Sequence, residues 1–196
     1  MINIALFGTS ADPPTAAHQA IIKWLSHHYD YVAVWASDNP FKSHQTPLEH
    51  RSQMLRLLIE GIESPRRNIS LHQSLSSPRT LETVAKAREH WGPHVNFTLA
   101  IGSDLVHQMP RWYQIDRLLK QVQLLVVPRS GYEVDEVGIE TLRELGANIA
   151  IADLKAPAVS STAYRENGDT DAVTPPVEDY IHREQLYACQ DAAPRR

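Results

Sequence analysis

The sequence predicts an α/β fold: a Rossmann-like, mostly parallel sheet of five or six strands with helices on both faces. Two observations predict it. Short apolar runs alternate five or six times with stretches whose apolar residues recur at helical spacing. The residue types that bind ligands follow those runs, where an open parallel sheet places its sites. No linker or repeat period interrupts the alternation. Residues 1–191 are therefore expected to form a single domain, with 192–196 a frayed tail.

The elements follow in order. Residues 2–7 read as a buried strand, and 8–14 as a run of turn residues. Ile21, Trp24, Leu25 and His28 lie at helical spacing, which predicts a helix over 16–28. Residues 31–36 form a second strand, and the polar stretch 37–45 a loop. Thr46-Pro47-Leu48-Glu49 has the form of a helix start, with Thr46 as cap, Pro47 in the first position and Glu49 closing a capping box. Leu55, Leu58, Ile59 and Ile62 then line one face. A short strand is expected at 68–72, and a helix at 80–91 with Leu81, Val84, Ala85 and Arg88 on one stripe. Strands at 95–101, 122–127 and 147–152 alternate with helices at 115–120 and 137–145. Residues 168–174 read as a surface loop. Pro175-Pro176 starts a last helix carrying Val177, Tyr180 and Ile181.

Bulk properties exclude several classes. Hydrophobic residues make up 42% and charged residues 21% of the chain, as in a globular protein. The net charge of -4 argues against nucleic acid as a partner, because phosphate-backbone binding needs a basic surface. It leaves room for a small phosphorylated ligand held by a local cluster of cations. The one cysteine, Cys189, offers neither a disulfide framework nor a CxxC metal site. A reducing cytoplasm is the expected compartment. No apolar run approaches the length of a membrane helix, so no membrane partner is expected. Oligomeric state is not legible, and a homo-oligomer stays open.

Five sites follow strands. Gly8 lets a backbone approach a ligand closely, Thr9 and Ser10 offer hydroxyls, and the next helix aims free N–H groups at an anion in the turn. His18, in the first turn of that helix, faces the same place and neutralises or hydrogen-bonds a phosphate. On these residues alone, an anion site and a mere tight connection weigh equally. Neither GxGxxG nor GxxxxGK[ST] is present. Later, Ser160, Ser161 and Thr162 form an N-cap and anion nest, with Arg165 one turn on. Alone, that stretch is more often an ordinary capped helix. Lys42, in Asn39-Pro40-Phe41-Lys42, is either a mobile charge over a phosphate or a plain surface lysine; Arg51 follows on the next helix. Asp104, in Gly102-Ser103-Asp104, either accepts from ribose hydroxyls or caps a helix. Trp112-Tyr113 either stacks a planar ring or packs into the core.

Taken in order, these stretches resemble the bacterial-type nicotinate (or nicotinamide) mononucleotide adenylyltransferases, nucleotidylyl transferases with an [HT]xGH signature. Residues 8–18 resemble that family's GGTFDPxHxGH, with Thr15 in the first signature position and His18 in the last. Thr9 and Ala17 stand where the family usually has glycine. Asn39 to Lys42, Arg51 and Met54 resemble PxxK…RxxM, and Thr80-Leu81-Glu82-Thr83 is similar to YTxxT. Ile101 to Asp104 with Trp112 resembles IGxDxxxxxxxW, and residues 159–165 are similar to ISSTxxR. Val177 to Tyr187 resembles VxxYIxxxxLY. Together the six run along nearly the whole chain.

The resemblance implies a nucleotidyltransferase that moves AMP from ATP to nicotinate mononucleotide in NAD biosynthesis. It gives deamido-NAD and pyrophosphate, with nicotinamide mononucleotide as the alternative acceptor. It assigns catalysis to His18, Thr15 and Arg165. It assigns ATP to Gly8, Thr9, Ser10, His18, Gly102, Asp104, Ser160, Ser161, Thr162 and Arg165. Lys42, Thr80, Trp112 and Tyr113 fall to the mononucleotide, with backbone N–H groups near Thr80 and Tyr113 suited to a ring carboxylate. Mg²⁺ is expected to arrive with ATP, since no carboxylate cluster reads as a built-in metal site. Three other readings compete. One is a related transferase acting on pantetheine phosphate or a cytidylyl acceptor, and one is a non-catalytic nucleotide sensor. The third is a metal site among ten histidines, although His27, His28, His90 and His94 lack partners at ligand spacing.

Overall fold

The computed structural model describes residues 1–187; Cys189 and the tail expected at 192–196 lie outside them. Among the described residues, six strands form one sheet: β1 (Ile2–Thr9), β2 (Tyr31–Ala36), β3 (Ile69–Leu71), β4 (Val95–Gly102), β5 (Gln123–Val127) and β6 (Ile149–Ile151). Their spatial order is β3-β2-β1-β4-β5-β6, and every pairing is parallel. The helices are α1 (Ala16–His28), α2 (Leu48–Glu60), α3 (Thr80–Trp91), α4 (Ile115–Leu119), α5 (Glu136–Glu144), α6 (Ser161–Asn167) and α7 (Pro175–Arg183).

Strand alternation builds two cores. Ile4 and Leu6 of β1 point to one face, with Val84 and Ala87 of α3, Leu118 of α4 and Leu142 of α5. Ala5 and Phe7 point to the other, with Ile22 of α1, Leu55 of α2, Tyr164 of α6 and Ile181 of α7. A parallel sheet needs helices on both faces for this reason, and the sequence expectation holds. The strand order reverses between β1 and β4, so their carboxyl ends open the crevice where such sheets take ligands. None of the helices described is long and apolar enough to cross a membrane.

Three local expectations change. Helix α2 starts at Leu48 with Pro47 in the capping position, so the box expected from Thr46 and Glu49 does not form. Thr46 is held elsewhere: its N–H donates to Asp12 Oδ2 at 3.3 Å and its carbonyl accepts from Arg51 Nε at 2.8 Å. The expected surface loop at 168–174 contains a 3₁₀ turn, Thr170–Ala172, and it buries Ala172 and Val173 against the second core. Finally, Arg88 does not close an apolar stripe by itself. Its guanidinium lies 4.4 Å from the Phe97 ring centroid and donates to the Val95 carbonyl, so the stem packs while the charge stays satisfied.

Candidate active site

The first turn leaves β1 at Thr9. Gly8 lies within the strand, and a Cβ there would come within 2.6 Å of the Trp35 indole. The glycine is thus required by packing against buried Trp35. The Thr9 hydroxyl turns inward and accepts from the Ala11 N–H at 3.4 Å. Thr15 caps α1, and the His18 ring completes a capping box by accepting from the Thr15 N–H at 2.9 Å through Nδ1. Thr15 is fully buried, with its hydroxyl 3.0 Å from the same ring nitrogen. Its reach is therefore to the imidazole rather than to a phosphate.

That bond sets the tautomer. A ring nitrogen that accepts carries no proton, so neutral His18 holds its proton on Nε2. Burial, then the nearby Arg129 and Lys42 charges, lower the His18 pKa to about 4. At neutral pH the imidazole of the free protein is an uncharged donor. We expect an NMR titration to place the His18 midpoint near 4; a midpoint near the ordinary value of about 6.5 contradicts the placement. Because the fold resists protonation, this histidine lowers stability progressively as pH falls from about 6.5 toward 4.

The late helix meets the turn directly. Ser160 caps α6 by accepting from the Ala163 N–H at 3.0 Å. The Ser161 hydroxyl donates to the Pro13 carbonyl at 2.7 Å, and Arg165 Nη1 donates to the Asp12 carbonyl. Arg165 Nη2 also lies 3.3 Å from the Thr162 hydroxyl. The Ser161 and Thr162 N–H groups have no partner inside the helix, so they are available to an anion at this mouth.

Further cations gather here despite the negative net charge. Lys42 Nζ donates to Ser10 Oγ at 2.9 Å. Desolvation of its amine, then Arg165, lower the Lys42 pKa, while Asp104 and Asp12 oppose them. Arg129, just beyond β5, pairs with Asp104 Oδ2 at 2.9 Å. Asp104 is thus committed to an arginine, and a Cβ on Gly102 would come within 2.4 Å of its Oδ1, so Gly102 makes room for the carboxylate. Buried Ser103 holds the Arg129 N–H at 2.9 Å and donates to the Tyr132 carbonyl at 3.0 Å. The sequence reading missed Arg129 and Ser103, although the rule that ligands meet residues just past strands would have found the arginine. Asp12 was missed as well. Its Oδ1 accepts from the Tyr187 hydroxyl, whose pKa is raised by burial and by that bond, so the phenol remains protonated.

Arg51 is 2% exposed and, among the described residues, binds no carboxylate at hydrogen-bond distance. It donates to the carbonyls of Thr46, Ser10 and Ser37 at 2.8, 2.9 and 2.7 Å, tying three loop segments to one guanidinium. It is a positioning residue. Arg51→Ala leaves three carbonyls without their donor, and we expect a loss of about 3 kcal/mol in urea denaturation. Arg51→Lys should recover only part, because one ammonium cannot reproduce the planar fork.

The ring-binding candidates lie on neighbouring segments. Thr80 opens α3. Trp112 is half-buried against the first core, and Tyr113 is 46% exposed. The structure therefore brings His18, Ser10, Lys42, Ser161, Thr162 and Arg165 around one mouth, with Gly102 and Asp104 across the β1–β4 crevice.

A cytidylyltransferase-like family model matches residues 6–167. A Synechocystis sp. protein named "Probable nicotinate-nucleotide adenylyltransferase" is 39% identical, spanning 95% of this chain and 99% of its own length. The Bacillus subtilis nicotinate-nucleotide adenylyltransferase is 27% identical over the same shares, 95% and 99%. Among solved structures, Plasmodium falciparum nicotinic acid mononucleotide adenylyltransferase complexed with NaAD superposes with a TM-score of 0.81 at 21% identity, covering 96% of this chain and 98% of that one. That structural likeness concerns the fold.

Proposed function

The chain belongs to the nicotinate-nucleotide adenylyltransferases of the cytidylyltransferase-like family, and we propose on that premise that it transfers AMP from ATP to nicotinate mononucleotide, giving deamido-NAD and pyrophosphate. One observation carries the site: Ser161 and Arg165 of α6 bind the Pro13 and Asp12 carbonyls of the first turn. Two anion-suited helix starts thereby face one mouth, among Lys42 and Arg129.

In this reading a phosphate oxygen of the mononucleotide attacks the α-phosphorus of ATP, and the bond to the leaving pyrophosphate breaks. No nucleophile on the chain is needed; positioning and charge neutralisation suffice. His18 donates from Nε2, with Thr15 holding its tautomer. Arg165 and the Ser161 and Thr162 N–H groups take the outer phosphates. Lys42 adds a mobile charge above Ser10. Gly102 and Asp104 border the adenosine, and Thr80, Trp112 and Tyr113 border the pyridine ring.

A divalent cation, Mg²⁺ in our proposal, comes with the triphosphate. Among the described residues no three His, Cys, Asp or Glu side chains gather to hold a metal ion. The nearby carboxylates are engaged, Asp104 by Arg129 and Asp12 by Tyr187 and Thr46. A cation carried by ATP fits that arrangement, supplying charge neutralisation on the phosphates. The nucleotide substrates of the proposed reaction support a cytoplasmic site of action. Release of pyrophosphate from ATP only when nicotinate mononucleotide is present supports the proposal. Absence of release with either pyridine mononucleotide overturns it.

A further inference from the structure

We propose that Arg79 is a specificity residue of this site, a fixed cation that favours an acceptor ring bearing a carboxylate over one bearing an amide. The inference rests on the adenylyl-transfer reading above. Arg79 occupies the capping position of α3, immediately before Thr80. Its guanidinium carbon lies 4.3 Å from the centroid of the Tyr113 ring. The contact joins two segments far apart in sequence, both assigned to the pyridine end of the site.

Local structure does not account for an arginine at this position. The start of a helix carries partial positive charge, so a cation there is of the wrong sign and an Asp, Ser or Thr would serve better. Its ion pair to Glu82 at 3.4 Å joins side chains that are 53% and 48% exposed, and such pairs contribute little. Glu82 is also held by the Ser77 hydroxyl at 2.6 Å. Arg79 is held further by its cation–π contact with Tyr113. A guanidinium over a ring face keeps donors at its edge for a partner, here those besides the Nη1 that meets Glu82. A planar carboxylate is the partner that such a fork suits, and it would meet the free N–H groups of the α3 start as well. A carboxamide carries no charge and gains little from the same cation. A residue placed against the local rule and beside the site is thereby explained by the ligand.

The test compares the two mononucleotides as acceptors at saturating ATP, using the full chain and its Arg79→Gln and Arg79→Lys variants. The ratio of kcat/KM for nicotinate mononucleotide to that for nicotinamide mononucleotide is expected to fall roughly 10–100-fold in Arg79→Gln, the range for hydrogen bonds to charged groups. Arg79→Lys should restore part of it. Because both acceptors are read on one sample, loss of folded protein cancels in the ratio. A parallel loss for both acceptors would mean that Arg79 only packs on Tyr113 and would overturn the proposal, as would an unchanged ratio. A wild-type chain inactive with both acceptors overturns the adenylyl-transfer reading itself, a different outcome from either.

Discussion

His18→Ala is expected to lower kcat on the order of 10²- to 10³-fold, the usual cost of removing one aimed donor from a developing charge. The donor is fixed from two sides. The Thr15 N–H occupies Nδ1, and the depressed pKa, about 4, keeps the ring neutral, so Nε2–H is always present at working pH. The effect should fall on kcat more than on the KM for ATP, since the bond strengthens as charge builds on the phosphates. The same ring also closes the α1 capping box, so alanine lowers stability too. His18→Gln separates the roles: glutamine in the third helical position can reach back to the capping N–H. It should recover stability and leave turnover low. Recovery of turnover along with stability would assign His18 to folding alone.

Arg165→Ala is expected to reduce kcat/KM for ATP on the order of 10²-fold, through the loss of charge-assisted hydrogen bonds to phosphate. Here KM rises along with the fall in kcat, because Arg165 holds charge present in the ground state as well. The residue also donates to the Asp12 carbonyl, so its loss loosens the joint between α6 and the first turn. Arg165→Lys keeps the charge and gives up the fork, and it should sit between wild type and alanine. Steady-state kinetics on the three proteins checks the order. Equal activity of all three would remove Arg165 from the phosphate site.

Much of this architecture is legible in the chain because its signals are periodic. Ile21, Trp24, Leu25 and His28 mark α1 with the bounds that the structure shows, and the apolar run at 31–36 is β2. What stays illegible is set by contacts between distant residues. Thr46 and Pro47 carry sound local signals for a helix start, yet Asp12 and Arg51 take up the Thr46 backbone and the helix begins at Leu48. Gly8 reads as a residue that lets a backbone approach a ligand, and the contact that requires glycine there, with Trp35 one strand over, is long-range. Asp104 reads as a ribose acceptor or a helix cap, and its pairing with Arg129, just beyond β5, is a contact between distant residues. The gathering of Lys42, Arg129 and Arg165 is invisible in a net charge of -4. Motif order supplies what periodicity cannot: it pairs the first turn with residues 159–165, and Ser161 and Arg165 contact the Pro13 and Asp12 carbonyls.

The most direct measurement is a crystal structure of the full chain with a non-hydrolysable ATP analogue and Mg²⁺. The account predicts the triphosphate at the β1–β4 crevice, with its oxygens within hydrogen-bond reach of His18 Nε2, the Arg165 guanidinium and the Ser161 and Thr162 N–H groups. A triphosphate bound elsewhere, with α6 and the first turn both leaving it untouched, would contradict it.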